Sequence, residues 1–269
     1  MKKKSNSKCP ASEKILSVGI STMSKQEILK EIFRRAKQKR RTVIFTPNPQ
    51  MLLQASTSKR KSKLLNSADF NIPDGIGVVI ASKLKNGKIK KRISGIDIAE
   101  DILYLSQKNR YKVFLLGGKR GVAKKAKQLL RARYPRLDIC GTHHGYFNKS
   151  GKDNDALIKT INQTSPDIIF VCMGYPMQEE WIIKNADKIK SAKVFIGLGG
   201  SLDVWSGKIH RAPAPFKILG LEWLYRTLKE PKRARIFLDI PIFLFKVLKG
   251  RTTHKYSANI SSSTVKHTM

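Results

Sequence analysis

The chain has 269 residues, 41% of them hydrophobic, and carries 54 Lys and Arg against 19 Asp and Glu, a formal net charge of +35. That length allows one large α/β domain, or one domain plus an appendage, and the apolar residues come in blocks, which excludes a wholly disordered chain. The charge favours polyanions, namely nucleic acid, an anionic membrane, or nucleotide and diphosphate substrates, although a solvated lysine-rich surface explains many single lysines equally well.

The opening "MKKKSNSKCP" is basic, but no apolar run follows it, so it does not read as a secretory signal. Residues 1–12 read as a basic, disordered tail. "ILSVGI" (15–20) predicts a short strand. Over 24–40, Ile28, Leu29, Ile32, Phe33 and Ala36 share one helical face, with Ser24 and Glu27 spaced as a capping box. "TVIFTPNP" (42–49) predicts a strand ending in a proline turn, followed by a helix through Met51–Leu53. "FNIPDGIG" (70–77) predicts a short strand, with a helix from about Gly75. A helix over 94–108 leads to the strand "YKVFLLGG" (111–118) and a helix over 121–133. "RLDICGTHHGYF" (136–147) reads as strand then loop. Helices over 153–163 and 176–190 flank the strand "DIIFVCMG" (167–174). "AKVFIGLGGSLD" (192–203) is a strand entering a glycine-rich turn.

Continuous apolar strands alternating with helices predict a parallel sheet covered on both faces. The expected fold class is therefore α/β, a doubly wound, Rossmann-like, mostly parallel sheet over residues 13–206. After 206 the pattern changes. A proline-bearing connector leads to two amphipathic helices, and residues 207–251 hold eleven Lys/Arg and three acids. This reads as a basic helical appendage, with a disordered tail over 252–269. No stretch reaches the ~18 uncharged apolar residues of a spanning helix. The longest apolar block, "IFLDIPIFLF" (236–245), contains Asp239 and Pro241. Cys9, Cys140 and Cys172 form no CxxC pair and fit a reducing compartment.

Ligands of doubly wound sheets bind beyond the carboxyl ends of the strands. Five segments fall there: Thr46–Gln50, Pro73–Gly75, Gly117–Gly121, Gly174–Glu179 and Gly197–Asp203. Their shared position predicts one pocket. Asp74 serves equally well as the N-cap of the helix after it or as an exposed catalytic base. Thr46 and Asn48 offer uncharged hydrogen-bonding groups, or turn chemistry around Pro47 and Pro49. "GGKRG" could let backbone N–H groups approach an anion, but it is neither a dinucleotide fingerprint nor a Walker motif. Asp153-Asn154-Asp155 spells DxD. It follows a loop at a helix start, so the reading preferred is complementation of the helix dipole. His143 and His144 should point apart, and no acids join them. No metal site and no cofactor are assigned.

Together, "TPNPQ" (46–50), "ADFNIPDGIGVV" (68–79), "RISGID" (92–97), "LLGGKRGVA" (115–123), "GYF" (145–147), "VCMGYPMQEEW" (171–181), "GLGGSLDVWSGKIHRAP" (197–213) and "LEWLYRTLKEPKR" (221–233) resemble the WecG/TagA/CpsF glycosyltransferase family, in family order over about 15–250. The resemblance implies a metal-independent, inverting transferase. It would move a sugar, N-acetylmannosamine in the best-known members, from a UDP donor to an undecaprenyl-diphosphate-linked GlcNAc. Relatives use UDP-N-acetylmannosaminuronate or UDP-glucose. Asp74 matches the family's proposed base, and Thr46 and Asn48 match polar positions near the sugar. Arg92 matches a basic residue of the active-site loop, and Gln178 and Asp203 match positions implicated in nucleotide contact. Gly118 falls in the matching glycine turn. Arg211, Arg226 and Arg233 match appendage arginines that lie over the site. The resemblance places such an enzyme in the cytoplasm, peripheral on the inner face of the cell membrane. Trp223, Tyr225, Phe237 and Phe243 fit either an interface-lying helix or packing on the sheet domain. A homo-oligomer is compatible with the sequence. The alternative from another class is a basic nucleic-acid-binding protein, although no zinc-finger spacing or RRM motif is present.

Overall fold

The computed structural model describes residues 11–229 and 236–263. The chain opens with an antiparallel hairpin, β1 (Ser12–Ile15) and β2 (Val18–Ser21), where one strand is predicted. The turn falls at Leu16, a non-glycine residue with φ +54°, so no glycine or Asn-Gly pair announces it. Then α1 (Lys25–Lys37) begins on the predicted capping box, with both Ser24 and Glu27 bonds formed. Next come β3 (Thr42–Phe45), α2 (Pro49–Ser56), α3 (Lys59–Leu65), β4 (Phe70–Asn71), α4 (Ile76–Leu84) and α5 (Gly95–Asn109). They are followed by β5 (Val113–Gly117), α6 (Val122–Arg133), β6 (Ile139–His143), α7 (Gly151–Thr164), β7 (Ile168–Cys172) and α8 (Met177–Asn185). The domain closes with β8 (Val194–Gly197) and α9 (Ser201–Trp205). Beyond it lie α10 (Ala214–Ile218), α11 (Glu222–Lys229) and α12 (Ile236–Ser263). The appendage thus has three described helices where two are predicted. The stretch from 252 that reads as a tail continues α12 to Ser263.

Strands β3 to β8 form one parallel six-stranded sheet in the order β4-β3-β8-β7-β5-β6. Its central strands β5, β7 and β8 are buried at every position, which is why they read as unbroken apolar runs. Helices α2, α4, α7, α8 and α12 bury their apolar residues on one face, and α1, α5, α6 and α9 on the other. The fold is therefore a doubly wound, Rossmann-like α/β sheet.

This winding positions the site. Strand β3 is followed by a helix on the first face, β8 by one on the second, β7 on the first and β5 on the second. Neighbouring strands thus send their chains apart, and a crevice opens at their carboxyl ends. The edge strand β4 is held by a buried cation. Arg35, 2% exposed, pairs with Glu31 at 2.7 Å and Asp69 at 2.9 Å, and lies over the Phe70 ring. Asp69 also accepts from the Val43 N–H, which fixes the start of the strand that ends toward Asp74.

Candidate active site

Thr46, just past β3, is buried, and its hydroxyl donates to the Gly197 carbonyl at 3.0 Å. Asn48 caps α2, its side-chain oxygen accepting from the Met51 N–H at 3.0 Å, with Pro49 at the first helical position. Pairing between β3 and β4 continues past both strand ends: the Ile72 N–H donates to Phe45 O and the Asp74 N–H to Pro47 O. On its other side, Pro73 O accepts from the Ile93 N–H. Asp74 is thereby wedged between the loop of Thr46 and Asn48 and the loop of Arg92. The following glycines permit this approach. A Cβ on Gly77 would stand 2.7 Å from the Pro49 ring, and Gly75 has φ +93°.

Gly75, not Asp74, is the N-cap of α4, and no side chain caps that helix. The carboxyl of Asp74 faces the start of α5 instead. Burial pushes it up to about 6, against the pull of the Arg92 guanidinium and the Gly95 N–H, while Glu222 and Asp97 push it further up. Arg92 is held in place by the appendage, donating to the Lys217 carbonyl at 2.7 Å.

Four of the five strand-end segments line a single cleft of about 630 Å³, a usual size for a ligand pocket. Thr46, Asn48, Asp74 and Gln178 lie on it. Arg92, Ser94 and Gly95 join them, and Gly220, Glu222, Trp223 and Ile240 of the appendage wall one side. Gln178 is 3% exposed, and its carbonyl accepts from the Gly174 N–H at 3.2 Å and the Gly199 N–H at 2.9 Å. Beside it, Glu179 is fully buried, accepts from the Gln178 amide at 2.8 Å, and is pushed up to about 7, chiefly by burial.

The fifth segment does not line the cleft. The Gly118 N–H is taken by the Cys172 carbonyl at 3.0 Å, and the Gly118 carbonyl accepts from Gly145. A Cβ on Gly117 would lie 2.1 Å from that Cys172 oxygen. These glycines serve close strand packing, so the Gly118 N–H is not free for a phosphate. Asp203, on α9, also lies outside the lining and pairs with Lys208 at 3.3 Å. Arg211 sits behind the wall, 2.7 Å from Asp97 and 3.6 Å from Glu222. Arg226 is on α11, and Arg233 lies outside the described residues.

Asp153 falls in the first turn of α7, and neither it nor Asp155 lines the cleft. The rings of His143 and His144 lie 4.4 Å apart, tilted by 31°, instead of pointing apart, because His143 ends β6 and the chain leaves the strand there. Among the described residues, no three His, Cys, Asp or Glu side chains gather as a metal-ligand set. Trp223 lines the cleft and Phe243 is fully buried against the sheet domain, whereas Phe237 is exposed. Glu222 lines the cleft and is not among the residues expected there, while Glu179 falls in the expected Gly174–Glu179 segment but lies behind the lining. Glu222 could have been found only as an acid in a strongly basic appendage. Glu179 is adjacent to the matched Gln178 but carries no signal of burial.

The double role of Asn48 gives a direct test. Asn48→Ala should remove the α2 cap and cost about 1 kcal/mol, read as a lower melting temperature. Asn48→Asp keeps the capping oxygen but loses the amide N–H groups. It should melt near the wild type and turn over less. Unchanged kcat/KM in Asn48→Asp would reduce Asn48 to a cap.

A partly buried carboxylate, an arginine beside it and helix N-termini around one crevice suit transfer to a hydroxyl with an anionic leaving group. The class is a sugar-nucleotide-type transferase on a doubly wound sheet. The chain belongs to the Glycosyl transferase WecG/TagA/CpsF family, whose model matches residues 13–257. It is similar to the N-acetylglucosaminyldiphosphoundecaprenol N-acetyl-beta-D-mannosaminyltransferase of Staphylococcus aureus strain MRSA252, 39% identical over 208 residues, 77% of this chain and 80% of that protein. Proteins of the same name from strains MW2 and NCTC 8325 are 38% identical over the same shares.

Proposed function

We propose that this glycosyltransferase moves N-acetylmannosamine from UDP to the GlcNAc of an undecaprenyl-diphosphate-linked acceptor, with inversion. The observation that carries the reading is the cleft carboxylate of Asp74, pushed up to about 6 by burial, in a chain whose relatives are named for this transfer. Asp74 takes the proton from the acceptor hydroxyl as that oxygen attacks the anomeric carbon. The bond from that carbon to the diphosphate oxygen breaks, and UDP leaves on the opposite face. Arg92 and the N-termini of α4 and α5 border the cleft and balance the charge of the leaving group.

A position on the inner membrane face is part of the same proposal. No helix among the described residues is long and apolar enough to cross a membrane. Support for surface attachment comes from Ile218, Leu219, Leu228, Leu238, Ile242 and Phe245, all large, apolar, exposed and in the appendage.

The test is UDP release from UDP-N-acetylmannosamine in the presence of EDTA. Release should require a lipid-diphosphate-GlcNAc analogue and survive the chelator. Loss of activity in EDTA, restored by Mg²⁺ or Mn²⁺, would sink the metal-independent reading. UDP-N-acetylmannosaminuronate and UDP-glucose, run as competing donors, decide which sugar is carried.

A further inference from the structure

Two loops of the cleft wall depend on one buried amide. Residues Gly174 and Tyr175 follow β7, and Leu198 to Ser201 follow β8; both groups line the cleft. What joins them is Gln178, whose carbonyl oxygen accepts from the Gly174 and Gly199 N–H groups. An amide has two unlike ends: the carbonyl accepts and the NH₂ donates. Two N–H donors can be satisfied only by the carbonyl end. If the amide were flipped, three donor groups would meet in a buried space.

Glu179 adds a constraint at the other end of the amide. Its Oε1 accepts from Gln178 Nε2 at 2.8 Å, and its side chain is shut off from solvent. An ionised carboxylate can only accept, and in a neutral carboxyl the oxygen without the proton still accepts, so the ordering holds as long as Oε1 carries no proton. The last residue of β8 makes room for the pair. A Cβ on Gly197 would lie 2.9 Å from Gln178 Nε2 and 3.3 Å from Glu179 Oε1. The carbonyl of the same Gly197 accepts the Thr46 hydroxyl. One contiguous set of bonds thus runs from Glu179 through Gln178 to the β7 and β8 loops, and Gly197 links it to the β3 loop. Glu179 does not line the cleft.

We propose that Glu179 is a positioning residue that acts through Gln178, fixing the orientation of its amide and with it the two loops that form the nucleotide side of the cleft. Assigning that side to the nucleotide rests on the function proposed above. Its chemical consequence is for binding of a nucleoside diphosphate, not for proton transfer at Asp74.

The experiment reads UDP affinity by calorimetry on the full-length chain, alongside donor and acceptor KM and kcat. Glu179→Met keeps the bulk and removes the acceptor. It should weaken UDP binding and raise donor KM by about tenfold or more, the loss expected when a buried donor is left unpaired. Acceptor KM should not move. Glu179→Gln retains an acceptor and should stay close to wild type. Gln178→Met should match Glu179→Met, and the double variant should be no worse than Gln178→Met alone. Additive losses, or wild-type UDP affinity in a folded Glu179→Met, would overturn the proposal. If Glu179→Met does not fold, Glu179→Leu decides in its place: UDP binding about tenfold weaker than in the wild type supports the proposal, and wild-type affinity in the folded variant overturns it. If the wild type binds UDP but transfers no sugar to any acceptor, the proposed function fails while the UDP readout still tests Glu179.

Discussion

Asp74→Asn should slow transfer by about 10²–10⁴-fold and at the same time make the protein harder to unfold. The first effect follows from the loss of a base. General-base assistance contributes about 10²–10⁴-fold, so kcat should fall by that order with UDP binding retained. In the wild type, with the carboxyl pushed up to about 6, kcat/KM should decline tenfold per unit as pH falls below that value. The second effect follows from linkage. A carboxyl whose pKa is higher folded than unfolded holds its proton more tightly in the folded state. Its contribution is most favourable below the ordinary value of 3.8 and is lost as pH rises through about 6. Above that, the partly buried charge costs about 1–3 kcal/mol, at roughly 1.4 kcal/mol per unit of pKa shift. The neutral asparagine escapes this cost. Asp74→Asn should therefore melt higher than wild type at pH 8 and equally at pH 3.5. A residue serving as a helix cap would behave differently: its alanine variant would lose about 1 kcal/mol and keep its specific activity. The α4 geometry, capped by Gly75 without a side chain, already points away from that role.

The local signals in the sequence were strong where a single element could declare itself. The Ser24–Glu27 box and the proline start of α2 follow from contacts within a few residues, and the unbroken apolar runs of β5, β7 and β8 show in each strand's own composition because both faces are covered. What depends on distant partners was not legible. Helix α3, "KRKSKLL", buries only Leu65 and carries too much charge to show an apolar face. Gly118 looks like an anion-binding turn until Cys172, more than fifty residues on, takes its N–H. Asp74 as cap or base could not be decided from "PDG" alone. The choice rests on the loops of Pro47, Ile93 and Gly95 that close around it. The wall formed by Glu222 and Trp223 belongs to a segment that the sequence marks only as basic and amphipathic.

Exchanging Leu238, Ile242 and Phe245 together for glutamate should release the protein from anionic vesicles while leaving turnover on a water-soluble acceptor analogue intact. The three lie on one face of α12 at helical spacing, 67%, 47% and 66% exposed. The opposite face is occupied: Phe243 and Val247 are buried in the core shared with α2 and α4, and Asp239 accepts from Gln50 beside the cleft. Packing therefore explains one side of the helix and not the other. Full burial of such side chains is worth about 1.5–3 kcal/mol each, so three glutamates should lower vesicle partitioning by at least a hundredfold. Phe243→Glu makes the contrasting control, since a charge in the core should destabilise the fold. Truncation after Ser206 should behave differently from both. It removes the exposed apolar residues of the appendage, but also the Lys217 carbonyl that holds Arg92 and the wall made by Glu222, Trp223 and Ile240. Activity on the soluble analogue should then be lost along with vesicle binding. If the triple glutamate variant still sediments with vesicles, the exposed face of α12 is not the attachment surface. If it also loses soluble turnover while remaining folded, that face and the cleft are not separable. The expected split, with binding to lipid lost and chemistry kept, would assign one face of the same helix to the membrane and the other to the cleft.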